Sequence, residues 1–189
     1  MKQKELQEIL SDHKKWLGED GGKRAILRGV DLQGTDLQGA NLRNADLWGA
    51  ILRDADLRNA LFRNADLRNA DLRGTKLPNF QICPESGSFI AWKKGRNNCI
   101  IKLYIPASAK RSSCLKSRKC RAEFVKVLNI FNAKGKSINK CLCWNVNYYT
   151  VYKKGQTIYP DKYDPDIRVE CTSGIHFFIT KKEAKEFSC

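Results

Sequence analysis

The sequence predicts a mainly β chain in three parts: an N-terminal capping helix over residues 1–22, a β-coil over 23–80, and a small basic α+β domain over 81–189. Three observations predict it. An apolar residue, nearly always leucine, recurs at every fifth position from Leu27 to Leu77. The segment before that run carries apolar side chains at helical spacing. The segment after it holds all eight cysteines and most of the net charge of +15. A chain of 189 residues with 42% hydrophobic composition can bury a core. No apolar run reaches the roughly 18 residues of a membrane-spanning helix. Met1–Leu10 alternates charged and isolated apolar residues, so no secretory leader is expected. A cytoplasmic location with reduced thiols is the corresponding expectation.

The repeat core is Leu27, Leu32, Leu37, Leu42, Leu47, Leu52, Leu57, Phe62, Leu67, Leu72 and Leu77. Two residues before each stands a small or short side chain, Ala at eight of the eleven positions. The residue just before the leucine is mostly Asp or Asn, and two residues after it stands mostly Gly or Asn. On a helix a step of five would scatter the leucines over every face. On a strand the odd step would flip each to the opposite face. A chain that turns a corner every five residues makes the eleven positions equivalent. Leucine and the small residue then point inward, and Asp, Asn and Gly serve the corners.

The blocks Ala40-Asn41-Leu42-Arg43-Asn44, Ala65-Asp66-Leu67-Arg68-Asn69 and Ala70-Asp71-Leu72-Arg73-Gly74 carry a direct resemblance. Residues 25–79 resemble the pentapeptide-repeat family, with its pattern A-(D/N)-L-x-x. The resemblance implies a right-handed quadrilateral β-helix of four repeats per coil. Eleven repeats would then make about 2.75 coils, a stack roughly 13 Å tall that exposes both ends and needs caps. Leu6, Ile9, Leu10, His13, Trp16 and Leu17 lie on one face of a helix that Gly18, Gly21 and Gly22 end. That helix is one expected cap, as in other members of the family, with His13 as a partly buried helix histidine. The basic domain is the other expected cap. Some family members, those tied to quinolone resistance, are acidic and mimic DNA. This coil departs from them: residues 25–79 hold eight basic and seven acidic side chains. Arg follows the core residue at seven of the eleven repeats, and rows of Asp and Arg are expected to pair across coils as a solvated surface. The flat coil faces leave a homodimer possible.

Residues 81–189 carry 21 basic and 8 acidic side chains. Expected strands are Ser88–Trp92, Cys99–Ile105, Cys141–Val146, Tyr148–Tyr152, Arg168–Glu170 and Gly174–Ile179, each rich in β-branched or aromatic residues. Arg121–Ile130 suits either helix or strand. Lys153-Lys154-Gly155 reads as a tight turn. Thr180-Lys181-Lys182-Glu183 has the spacing of a capping box, opening a final helix. The stretch Cys83-Pro84-Glu85-Ser86-Gly87-Ser88-Phe89-Ile90-Ala91-Trp92 and the stretch Glu170-Cys171-Thr172-Ser173-Gly174-Ile175-His176-Phe177-Phe178 carry a second resemblance. They resemble an uncharacterised domain found after pentapeptide repeats in phage and bacterial proteins. That resemblance implies a shared fold and brings no established activity.

Two chemistries are open to this domain. Cys171 and His176 flank a glycine-containing turn and are candidate catalytic residues, a thiol nucleophile with an imidazole base. No metal site is expected, because Cys141-x-Cys143 is too tight for a zinc knuckle and Cys171-x₄-His176 lacks a partner knuckle. No cofactor motif is present. The denser signal is charge. Lys110, Arg111, Arg118, Lys119 and Arg121, with Lys93 and Lys94 on a second stretch, are candidate polyanion-binding residues. The leading expectation is a non-catalytic scaffold that presents a basic domain to a nucleic acid or an acidic protein. The alternative is a Cys/His enzyme acting on a phosphorylated or nucleotide-like substrate.

Overall fold

The computed structural model describes residues 1–144 and 149–187. The expected strand ends at Val146 and Tyr148, and the thiol of Cys189, lie outside the described residues. The chain divides into two compact units, Met1–Phe80 with Leu115–Ser117, and Gln81–Cys114 with Arg118–Cys189.

In the first unit the five-residue step becomes a corner. The residue two after each core position has positive φ at Gly29, Gly34, Gly39, Asn44, Gly49, Asp54, Asn59, Asn64, Asn69 and Gly74. Gly reaches that region without steric cost, and Asn and Asp tolerate it best among the other residues. At each corner the small residue's N–H closes back on the core residue's carbonyl, as from Val30 to Leu27 and from Ala65 to Phe62. A four-residue turn with positive φ only at its third residue is a type II turn. The side chain just before leucine secures the corner, as where Asp31, Asp36, Asp46 and Asp66 each accept the N–H two residues on.

Successive rungs join by parallel bridges offset by 20 residues, from Ile26↔Asp46 through Asp56↔Lys76, so a rung holds four repeats. Inside the stack Leu27 to Leu67 are buried, with Ala25 and the alanines from Ala45 to Ala70 between them. Each leucine so buried contributes about 1.5–3 kcal/mol. Leu72 and Leu77 are only partly buried, a departure from the expectation that all eleven point fully inward. The expected pairing of Asp and Arg across coils is only part of the pattern. Asp56–Arg58, Asp66–Arg68 and Asp71–Arg73 pair within one repeat, at 2.6 Å each, while Arg28–Asp46 and Lys76–Asp56 cross between rungs.

Helix α1, Gln3–Leu17, rests on the first rung. Its Leu6 and His13 are buried, and Ile9 and Leu10 pack on the coil core. Met1 donates to the Asp31 carbonyl and His13 Nε2 to that of Arg43, which covers carbonyls that no earlier rung satisfies. Trp16 does not join the buried face as expected; it stays 37% exposed and stacks on the His13 ring. Leu115 joins this core, and Lys116 Nζ donates to the Ala65 carbonyl.

The second unit is built of β1 (Phe89–Lys94), β2 (Ile100–Ile105), β3 (Arg111–Ser113), β4 (Cys120–Ala122), β5 (Val125–Phe131), β6 (Lys140–Trp144), β7 (Tyr149–Lys153), β8 (Thr157–Ile158), β9 (Ile175–Phe177) and helix α2 (Lys181–Glu186). An antiparallel sheet runs β1-β2-β5-β8, a second runs β3-β4-β9, and β6 and β7 form a hairpin. Alternate residues of β2 and β5, Ile101, Leu103, Ile105, Val125 and Val127, enter the core. The ambiguous stretch Arg121–Ile130 is strand on both sides of Glu123 and Phe124, the end of β4 and most of β5. Arg168–Glu170, expected as a strand, is not one, because the carbonyls of Val169 and Glu170 accept from the Arg121 guanidinium instead of a neighbouring strand. The capping box at α2 is complete: Thr180 accepts from the Glu183 N–H and Glu183 from the Thr180 N–H.

Candidate anion-binding cleft

The cleft begins where β1 ends. Gly95 lets the chain pass over the β6 thiols, since a β-carbon there would lie 2.4 Å from Cys141 Sγ. The end of β1 and the turn after it therefore deliver Lys93, Lys94 and Arg96 to one edge of the β6–β7 hairpin. A cleft of about 330 Å³ opens there. Lys93, Lys94, Arg96, Lys119 and His176 supply its polar side, and Trp144, Tyr149, Phe178 and Phe187 its aromatic side.

The cations are held by long-range contacts. Lys93 Nζ donates to the His176 carbonyl at 3.2 Å. Lys94 Nζ donates to the carbonyls of Lys185 and Phe187, at the C-terminal end of α2 where backbone acceptors accumulate. Arg96 lies over the Tyr149 ring and Lys119 over the Phe187 ring, 5.6 and 4.8 Å from the centroids. Lys93 and Lys119 are only 7% and 5% exposed, so their charges act in a poorly solvated place. His176 Nε2 is buried and has no hydrogen-bond partner among the described residues. Burial first, then the charges of Lys119, Lys93 and Arg121, push its imidazole down to about 2. It is neutral at physiological pH.

The two candidate catalytic residues are thus placed differently. His176 lines the cleft. Cys171 is exposed, is not among the cleft's lining residues, and its Sγ accepts from Lys119 Nζ at 3.2 Å. An imidazole held so far below neutrality is a weak general base.

The candidate polyanion residues do not form one exposed run. Arg121 is 2% exposed, and its guanidinium donates to the carbonyls of Asp164, Asp166, Val169 and Glu170. This takes it off the surface altogether, since a buried guanidinium is stable only when its donors are satisfied. Arg111 holds the carbonyls of Gly87 and Ala107, Arg118 pairs with Glu183, and Lys110 pairs with Glu123. Lys93, Lys94 and Lys119 meet in the cleft. Arg96 stands with Lys93 and Lys94 in the second basic stretch of the sequence and joins them in the cleft, whereas reasoning from sequence missed Trp144 and Tyr149. The signal available for Trp144 was its place in the alternation of β6, on the face opposite Cys141 and Cys143.

Cys83 and Cys120 lie in the core of the second unit. Ser113 Oγ lies 3.3 Å from Cys83 Sγ and 3.6 Å from Cys120 Sγ beneath β3 and β4. Among the described residues no group of three or more His, Cys, Asp or Glu could hold a metal ion, and no helix is long and apolar enough to cross a membrane.

Stacked five-residue corners define a pentapeptide-repeat protein, and residues 23–44 and 40–78 match the pentapeptide repeats. Residues 79–184, more than half of the chain, match a family of unknown function, DUF5758, and the chain belongs to that family. No curated protein matches it. A crystal structure of a pentapeptide repeat protein, Rfr23, from the cyanobacterium Cyanothece 51142 is 41% identical over 29% of this chain, with a TM-score of 0.28. The matched part spans 36% of that protein.

Proposed function

We propose that this chain is a non-catalytic binding protein, in which a right-handed quadrilateral β-helix serves as scaffold and the second unit captures an anionic group of a polyanion or acidic partner. The observation that carries the reading is the convergence of Lys93, Lys94, Arg96 and Lys119 on one cleft with an aromatic wall. Charge-assisted bonds made in so dry a place are strong, because the ammonium groups have little water to give up. The aromatic wall offers a face to a planar group attached to the anion. Catalysis by Cys171 and His176 has weaker support, since the thiol stands outside the cleft and the imidazole is a poor base.

The test is titration calorimetry with pyrophosphate and a mononucleotide on the wild type and on Arg96→Ala and Lys119→Met, each checked for folding by circular dichroism. Each variant should bind about tenfold more weakly, the worth of one charge-assisted bond. Affinities equal to wild type in both folded variants would refute the assignment to this cleft.

A further inference from the structure

Beside the first cleft lies a second, of about 550 Å³, with Lys94, Lys134, Lys181 and Lys185 among its lining residues. Lys94 belongs to both. Its Nζ bonds to Lys185 O and Phe187 O fix it at the end of α2, between the aromatic cleft and the lysine cleft. Asn98 and Asn132 add polar groups to the second cleft, and no carboxylate lines either one among the described residues. The two clefts thus share a cation, and aromatic rings line the first of them.

Two of those rings are open to solvent. Trp144 and Tyr149 face each other across the β6–β7 register, 4.8 Å apart and edge to face. They remain 55% and 50% exposed at the cleft. Exposed aromatic rings next to a groove of positive charge are the two parts that single-stranded nucleic acids use: bases stack on the rings and phosphates follow the cations. A duplex hides its base faces and could not use the rings. An acidic peptide would use the lysines and leave the rings idle.

We propose that the anionic ligand is a single strand of nucleic acid, with a base stacked at Trp144 and Tyr149 and its phosphates running past Lys94 to Lys181 and Lys185. This rests on the anion-binding reading of the first cleft and adds the second cleft to it. Stacking reads no particular base, so the binding is sequence-tolerant. If about four phosphates are neutralised, log K falls against log salt with a slope near −3.

The experiment is fluorescence anisotropy with labelled oligothymidylates of increasing length, a mononucleotide competitor, a duplex, and hexaglutamate. Affinity should rise with length until both clefts are covered and then level off. Trp144→Ala should weaken oligonucleotide binding about tenfold. The folded double variant Lys181→Ala/Lys185→Ala should weaken it and flatten the salt slope by about 1.4, while leaving mononucleotide affinity unchanged. Lys134→Ala, on a loop, should act in the same direction if the α2 variants fail to fold. A mononucleotide that binds as tightly as the longest oligonucleotide would overturn the proposal and leave the first cleft as a small-anion site. A duplex or hexaglutamate that binds as tightly as the oligonucleotide would overturn it in favour of those partners. No binding of any anion would overturn both readings.

Discussion

The two units use polar side chains in opposite ways. In the coil the charged groups that pair do so within their own repeat or one rung away: Asp66 accepts the N–H of Arg68 and pairs with its guanidinium. In the second unit the cations reach across the sequence. Lys93 meets the carbonyl of residue 176, Lys94 that of residue 185, and Arg121 gathers carbonyls from Asp164 to Glu170. Local use makes charge periodic and interchangeable. Long-range use makes each cation a particular part of one site, so the same charge count carries different meanings in the two halves.

The comparison breaks most violently in the coil core. Leu57 is wholly buried between rungs and each rung depends on the next. Leu57→Arg would put a charge where no partner exists, a cost of several kcal/mol that exceeds the margin of a short stack. The variant should fail to fold, while Leu57→Ala should fold with a loss of about 2–5 kcal/mol. Both are read by thermal melting followed by circular dichroism. A cooperative transition in the arginine variant at the wild-type temperature would refute the buried-leucine coil.

This asymmetry also governs what could be read from the sequence. The coil was legible because each of its requirements is local: Leu inside, a small residue beside it, Asp before it, and Gly or Asn at the positive-φ corner. The capping box of α2 was legible for the same reason. The run from Lys110 to Arg121 read as a surface because a charge tally cannot see that Arg121 is 2% exposed or that its partners lie more than forty residues away. The cleft was half legible. Lys93, Lys94, Arg96, Lys119 and His176 stood out by residue type, whereas Trp144 and Tyr149 join them only through strand pairing and the close approach at Gly95.

Arg121 sharpens the contrast with the exposed arginines of the coil. Its fork holds the loop from Asp164 to Glu170 against β4. Arg121→Lys keeps the charge but cannot reproduce several donors in a plane, so carbonyls lose their partners. The variant should lose about 3 kcal/mol, visible as a lower midpoint in a urea melt of the whole chain. Arg68→Lys on the coil surface should leave the midpoint where it is. Equal behaviour of the two variants would show that Arg121 does not hold that loop.

The smallest expected effect lies at the junction of α1 and the first rung, where one titratable ring does long-range work inside the otherwise local unit. His13 Nδ1 accepts the Ala25 N–H at 3.1 Å, and Nε2 donates to the Arg43 carbonyl at 3.0 Å. This fixes the neutral tautomer, because a proton on Nδ1 would confront the Ala25 donor. Burial, with Arg24 adding to it, lowers the His13 pKa below its ordinary 6.5. Between those values the unfolded chain binds more protons than the folded one, so stability rises with pH there and falls as pH drops below about 6.5. His176 acts in the same sense, and a wild-type curve alone would sum the two. His13→Gln separates them. At pH 7.5 the variant should be less stable by about 1–3 kcal/mol, from the Ala25 and Arg43 groups left without good partners. As pH falls to 5 the gap should narrow, because only the wild type must take up a proton at this position on unfolding. A gap that stays constant between pH 7.5 and 5 would show that His13 does not titrate with folding.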